Sequence, residues 1–202
     1  LQVEDELLIR LEQGGKGKTS IVPGGNIEFI QLNMADPWTE TEGERSHPKS
    51  KHPILSEFAV RQAISLCVDR DGVQKFIYGR TGIATANFLN NPQRFVSKNT
   101  KFEFNPDKAA QVLEAAGWKK GADGIREKGG KKLKLVFQTS INGPRQKTQQ
   151  IIKQAAQKAG IDMELKAVPA SVYFSSDPAN PDTYTKLYVD MQMFTTTMPQ
   201  PD

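Results

Sequence analysis

Between Lys132 and Val168 the hydrophobic period changes twice, and this restricts the fold more than any other feature of the chain. KLKLVFQ (132–138) puts Leu133, Leu135 and Phe137 on one face, the two-residue period of a strand. PRQKTQQIIKQAAQKAG follows, with Thr148, Ile151, Ile152, Ala155 and Ala159 at helical spacing and Gly160 placed to end the helix. IDMELKAV then alternates again, with Ile161, Met163, Leu165 and Ala167 inward and Asp162, Glu164 and Lys166 outward. A strand, a helix and a strand with short connections form a right-handed parallel crossover. The predicted fold class is therefore α/β, with a mixed or parallel sheet flanked by helices. Ligands of such sheets bind outside the carboxyl ends of the strands. That rule selects Thr139, Ser140, Ile141 and Asn142, the turn expected after Gln138, as the place where a small molecule or extended chain is read. Arg145, near the start of the crossover helix, is open to two readings: a partner for a ligand carboxylate, or a solvated side chain.

The remaining elements are expected to build around this unit. Residues 3–13 read as a short amphipathic helix, with Val3, Leu7, Leu8 and Leu11 at helical spacing, and 1–25 as a peripheral helix and connector. NIEFIQLN (26–33) reads as a strand burying Ile27, Phe29 and Leu32, and 34–53, with three prolines, as a loop. SEFAVRQAISLCVDRDG predicts a helix capped by Ser56, with Val60, Ala63, Ile64, Cys67 and Val68 on its buried face. VQKFIYG adds a turn or two with Val73, Phe76 and Ile77 inward, and 80–104 shows no period. In FNPDKAAQVLEAAGW, Asn105 caps and Pro106 suits the first helical position. Ala109, Val112, Leu113 and Ala116 are buried there, Gly117 supplies a left-handed exit, and Trp118 folds back. The glycine- and lysine-rich stretch after Trp118 reads as a surface hairpin or loop, 171–186 as loop, and LYVDMQMF (187–194) as a closing strand.

Several chemistries find no support. QGGKGKTS (13–20) ends like a phosphate-binding loop, but Glu12 stands where its first glycine belongs. Helix-spaced residues precede it where a strand is needed, so a solvated connector is expected. The net charge is +4, and 98–158 holds 14 Lys and Arg against 5 Asp and Glu. A basic interaction or nucleic-acid-binding surface is the alternative reading of that segment, although aromatic residues are not interleaved as a stacking platform requires. Cys67, the single cysteine, sits on an apolar helical face and is expected to be a buried thiol. His47 and His52 lie in the proline-rich loop without further ligands, so no metal site is expected and each is read as solvated or locally hydrogen-bonded. No serine stands in a nucleophile elbow, so no catalytic residue and no enzyme is expected. Asp69 and Asp71 are read as local salt-bridge partners of Arg70, and Arg61 as an arginine held by a carboxylate while pinning a loop. No run is long and apolar enough to span a bilayer, and the acidic, mixed first residues are not expected to act as a signal peptide.

A set of short motifs then carries a resemblance. Val60-Arg61-Gln62-Ala63-Ile64, Asp69-Arg70, Tyr78-Gly79 and Lys108-Ala109 through Leu113 to Ala116-Gly117-Trp118 occur in order. With them come Asn33 and Pro37, Asp123-Gly124-Ile125, Gly160-Ile161 and Asp190. Together they resemble the family 5 solute-binding proteins of ABC importers, the peptide, dipeptide and nickel group, from about residue 26 onward. The resemblance implies part of a type II periplasmic-binding-protein fold, with 1–202 forming a single partial domain, most of the C-terminal lobe of a two-lobed protein. It implies a periplasmic protein, or one lipid-anchored outside the membrane. Such a protein captures an oligopeptide or other small polar solute and passes it to membrane permease subunits, without cofactor, catalysis or nucleic acid.

The resemblance also implies that the segment after 132–138 lines the cleft, the positions the topology rule selects. It departs from the family pattern twice. The dipeptide-binding pattern has an arginine in that segment, where this chain has Thr139 to Asn142 and then Arg145. The aspartate that holds a peptide's amino end falls at Thr195-Thr196-Thr197-Met198, with no acid before Asp202. Thr195 and Thr196 are therefore expected at the solute, which opens the reading to other polar solutes such as a sugar.

Overall fold

The computed structural model describes residues 4–197. Its helices are α1 (Asp5–Gln13), α2 (Phe58–Leu66), α3 (Arg70–Val73), α4 (Pro106–Ala115), α5 (Gly143–Ala159) and α6 (Ala170–Tyr173). Its strands are β1 (Asn26–Leu32), β2 (Lys119–Lys120), β3 (Arg126–Lys128), β4 (Lys131–Lys132), β5 (Lys134–Ser140), β6 (Asp162–Val168) and β7 (Met191–Thr197). The main sheet has the order β1-β7-β5-β6, and β2-β3-β4 form a small antiparallel sheet. β5 is parallel to both β6 and β7, whereas β1 is antiparallel to β7. The crossover expected from 132–168 is present, with α5 joining the parallel pair.

One face of the sheet carries the core. Leu135 and Phe137 of β5, Met163 of β6, and Met191 and Met193 of β7 pack against Val60 and Ile64 of α2, Leu113 of α4, and Ile152 and Ala156 of α5. Each such large side chain removed from water contributes about 1.5–3 kcal/mol. α4 is built as its sequence dictates: Asn105 accepts from Lys108 N–H at 2.9 Å, and Gly117 turns out at φ 87°. The N–H groups of Gly117 and Trp118 return to Glu114 and Leu113 carbonyls, and Trp118 is fully buried.

The opposite face carries a polar row. Gln31, Gln192, Gln138 and Lys166 stand opposite one another across all four strands. Their side chains hold the segment after α6 onto the sheet. Gln192 donates to the Tyr184 carbonyl at 2.8 Å, Gln138 to the Asp182 carbonyl at 3.1 Å, and Lys166 pairs with the Asp182 carboxylate at 2.6 Å.

Several expectations are corrected. β5 runs through Ser140, so the turn opens after Ser140 rather than after Gln138. β7 starts at Met191, not at residue 187, because side chains of the 33–46 loop take the preceding carbonyls. Asn33 and Ser46 donate to Leu187 O, Asn33 to Val189 O, and Arg45 to Tyr188 O. Glu57 rather than Ser56 precedes α2, and its side chain makes no cap. Phe76 is exposed because residues 74–78 form a π-turn, which shifts the phase assumed for a 3.6-residue helix. Within 171–186 the first residues belong to the single-turn α6. In α1 only Leu8 is buried, and Leu7 and Leu11 face out; Val3 lies outside the described residues.

Candidate solute-facing edge

Four strand ends meet at one edge of the main sheet. β5, β6 and β7 end there at Ser140, Val168 and Thr197, and antiparallel β1 starts there at Asn26. The topology therefore brings together the two segments singled out in the sequence, 139–145 and 195–197, which are far apart along the chain.

Their roles within the edge differ. Thr139 is fully buried and its hydroxyl donates to the Met193 carbonyl at 2.7 Å, tying β5 to β7. Ser140 is also buried, and its hydroxyl accepts from Arg145 Nη1 at 2.7 Å. Ile141 is exposed, with its N–H on Val168 O at 2.7 Å. Asn142 caps α5, its side-chain oxygen accepting from Arg145 N–H at 3.2 Å. The helix is 17 residues long, so its positive end and remaining N–H groups face this edge.

Arg145 is neither solvated nor extended toward the outside. It is 7% exposed, with Nε donating to Glu28 Oε1 at 2.8 Å and Nη2 to Thr195 Oγ1 at 3.1 Å. Thr195 in turn donates to the other Glu28 oxygen. Glu28 and Thr195 are directly paired residues of β1 and β7, which explains why this carboxylate lies where the guanidinium arrives. The sequence reading missed Glu28, whose signal would have been an acidic residue in a strand otherwise read as apolar. Tyr78 closes in beside them: burial, and then the nearby Glu28 carboxylate, push its phenol above the usual range.

Thr196 points to the other face of the sheet, beside Phe194, and its hydroxyl has no side-chain partner among the described residues. Aromatic rings run along that face. Phe88 meets Phe29 at 5.2 Å, Phe29 meets Phe194 at 4.5 Å, Phe194 meets Tyr184 at 5.0 Å, and Tyr184 meets Phe174 at 5.7 Å between centroids. The two end rings, Phe88 and Phe174, are about half exposed. Sequence reasoning did not single out these rings, because they come from separate loops and strands.

Other candidates are accounted for by structure. Of the two readings of His52, hydrogen-bonded is the one observed: it is buried, its Nδ1 accepts from the N–H groups of Ile54 and Leu55, and Nε2 meets Asp190 Oδ1 at 2.8 Å. Asp69 caps α3 instead of pairing with Arg70, whose guanidinium lies over the Phe102 ring. Arg61 does pin a loop, but through the carbonyls of Leu55 and Ser56 rather than a carboxylate. Burial pushes the Cys67 thiol up to about 12. Residues 14–23 are exposed connector. In the lysine-rich segment, Lys108, Lys119, Lys128, Lys132 and Lys134 face Glu103, Glu114, Glu57, Asp123 and Asp162, so much of its charge is neutralised locally. Among the described residues no group of three or more metal-ligating side chains converges, and no helix is long and apolar enough to cross a membrane.

A mixed sheet flanked by helices, with a polar edge at its strand ends, is the α/β arrangement of the type II periplasmic-binding-protein fold. The chain belongs to the bacterial extracellular solute-binding proteins, family 5: the family model described as "Bacterial extracellular solute-binding proteins, family 5 Middle" matches residues 2–202. It is 30% identical over 164 residues to a probable ABC transporter-binding protein of Deinococcus radiodurans, covering 77% of this chain and 26% of that one. It is 29% identical over 127 residues to the oligopeptide-binding protein AppA of Bacillus subtilis, covering 58% and 23%. The chain thus spans about a quarter of the length of these curated relatives. Among solved structures, NikA from Brucella suis in complex with Fe(III)-EDTA aligns at a TM-score of 0.69 with 21% identity, over 98% of this chain and 36% of that one. The oligopeptide-binding protein from Thermus thermophilus, complexed with a pentapeptide, aligns at 0.67 with 24% identity, over 87% and 28%. At these identities the likeness to the solved structures is one of fold.

Proposed function

We propose that this chain is the C-terminal-lobe part of the substrate-binding component of an ABC importer, and that the carboxyl edge of its main sheet is its solute-facing surface. The solute is an oligopeptide or similar small polar molecule, handed to permease subunits at the outer face of the cytoplasmic membrane. The observation that carries the reading is the convergence of 139–145 with 195–197 at that edge, joined through Arg145 to Ser140 and Thr195 at the N-terminus of α5. Family membership, and the names of the transporter-binding and oligopeptide-binding relatives, support it.

Ile141, Asn142 and Thr196 are the proposed direct contacts. Thr139, Ser140, Arg145 and Thr195 hold those residues in place through hydrogen bonds inside the fold. A binding protein gains affinity by closing a desolvated polar pocket from two sides, so one side alone binds weakly. Titration of the isotopically labelled chain with peptide and oligosaccharide mixtures, followed by amide chemical shifts, tests this. Weak, saturable shifts at 141–142 and 195–197 are expected. Tight binding by these 202 residues, or shifts only elsewhere, would count against the proposal.

A further inference from the structure

The charges built into the proposed solute-facing edge cancel within the fold. Glu28 and Arg145 lie 2.8 Å apart with side chains 20% and 8% exposed, and Arg145 is also committed to Ser140 and Thr195. A carboxylate arriving from solution would have to displace Glu28 from a buried guanidinium. An ammonium would have to displace Arg145 from Glu28. Removing one member of a buried pair leaves the other uncompensated, which opposes both exchanges.

Outside the concavity next to α1, the side chains that the edge leaves accessible are uncharged. Thr196 offers a hydroxyl, Asn142 a side-chain amide at the start of α5, and Phe88 and Phe174 two half-exposed rings. The rings end one continuous aromatic series, and β7, which bears Thr196, lies between them through Phe194, with Phe29 of β1 beside it. Arg145 lies 6.0 Å from the Phe174 centroid, so the pair that cancels the charge also props one ring. Flat apolar surfaces interrupted by a few hydroxyl and amide groups suit a ligand built the same way. A concavity of about 390 Å³ is lined by Asn142, Gly143 and Pro144 together with Glu4, Glu6 and Arg10 of the α1 region, with Glu4 already tied to Lys147.

Resting on the proposed function above, we infer that this edge grips an uncharged solute segment with flat apolar faces and does not read ionised chain ends. Two sources share that chemistry: a neutral pyranose oligosaccharide, and the interior of a peptide with apolar side chains.

The test uses cellotriose, a phenylalanine-containing tetrapeptide with free ends, and the same peptide N-acetylated and C-amidated, each titrated into the labelled protein. The expected result is that cellotriose, the capped peptide or both shift 141–142 and 195–197, with capping changing affinity by less than about threefold. Which of the two binds identifies the source. Phe174→Ala and Phe88→Ala are expected to weaken that binding about fivefold while near-ultraviolet circular dichroism stays native. Edge shifts that need free ends, with a loss of about tenfold or more on capping, would overturn the inference and leave the solute-facing edge standing. Free-end dependence with shifts at Glu4, Glu6 and Arg10 would do the same and move recognition to the α1 concavity. Unchanged affinity in both ring variants would remove the aromatic part. No edge shift with any probe would overturn the proposed function itself.

Discussion

The Asp190 carboxylate takes the place of a strand neighbour for Val136: Oδ2 accepts the Val136 N–H at 2.6 Å, just before β7 begins its ladder with β5. Its other oxygen accepts from Trp38 Nε1 at 2.9 Å and meets His52 Nε2 at 2.8 Å. Because His52 Nδ1 accepts two backbone N–H groups, the ring proton sits on Nε2 and is donated to Asp190. Asp190→Ala would leave three donors without their acceptor, at a cost of about 3 kcal/mol or more. Urea unfolding followed by fluorescence should show a lower midpoint, with Asp190→Asn intermediate because it keeps one acceptor. An unchanged midpoint in the alanine variant would contradict this account.

α1 is held by charge as well as by apolar burial. Arg80 contacts both Glu12 oxygens at 3.1 and 2.7 Å, and Lys147 contacts Glu4 at 2.8 Å, against one buried apolar residue, Leu8. The Arg80 and Thr19 hydrogen bonds lower the Glu12 pKa from its ordinary 4.5. A lowered folded-state value stabilises docking above 4.5 and loses that contribution as pH falls through the lower value. Hydrogen exchange should therefore show α1 losing protection in acid, and in high salt at neutral pH, before β5 or α5 does. Equal protection of all three under both conditions would rule out an electrostatic latch.

Gly160 ends α5 at φ 87°, and a Cβ there would stand 2.7 Å from Arg126 Cγ. Arg126 is the clamp beneath, donating to the carbonyls of Ala159 and Trp118 and to Glu114. Gly160→Ala should destabilise by about 1–2 kcal/mol, combining left-handed strain with displacement of that side chain. Thermal unfolding of the variant checks this. A gain in stability, the usual result of Gly→Ala where the backbone permits it, would show that the position relaxes.

Cys67 has no exposed surface, and burial pushes its thiol up to about 12. Reaction requires a thiolate in contact with reagent, so the native protein should react with a chromogenic disulfide only through opening. The expected outcome is slow labelling in buffer and complete labelling in denaturant. Rapid labelling at neutral pH would mean that α2 does not sit on the sheet as described.

The crossover is legible in the sequence because β5, α5 and β6 each satisfy one period along their whole length, with capping residues at the junctions. α4 is legible for the same reason, down to Asn105 and Gly117. The start of β7 is not, because alternation in LYVDMQMF does not reveal that Asn33, Arg45 and Ser46 capture the carbonyls before Met191. The candidate edge is half legible. Topology points to residues 139–145, but that Arg145 turns inward to Glu28 depends on the β1–β7 register, which no local pattern encodes. The aromatic series is invisible for the same reason, since Phe29 and Tyr184 link Phe88, Phe194 and Phe174 only after the sheet has formed.

Asn26 of β1 stands opposite Thr197 of β7, so the two strands diverge from the same end of their ladder. Tension applied between the segments on either side of that end would peel the ladder open one rung at a time instead of shearing all its rungs at once. The rung that yields first is the one fastened by the Asn26 and Thr197 side chains, and the next ones lie beside Glu28 and Thr195. Mechanical load would thus reach the proposed solute-facing edge before it reached the packed methionines at Met191 and Met193.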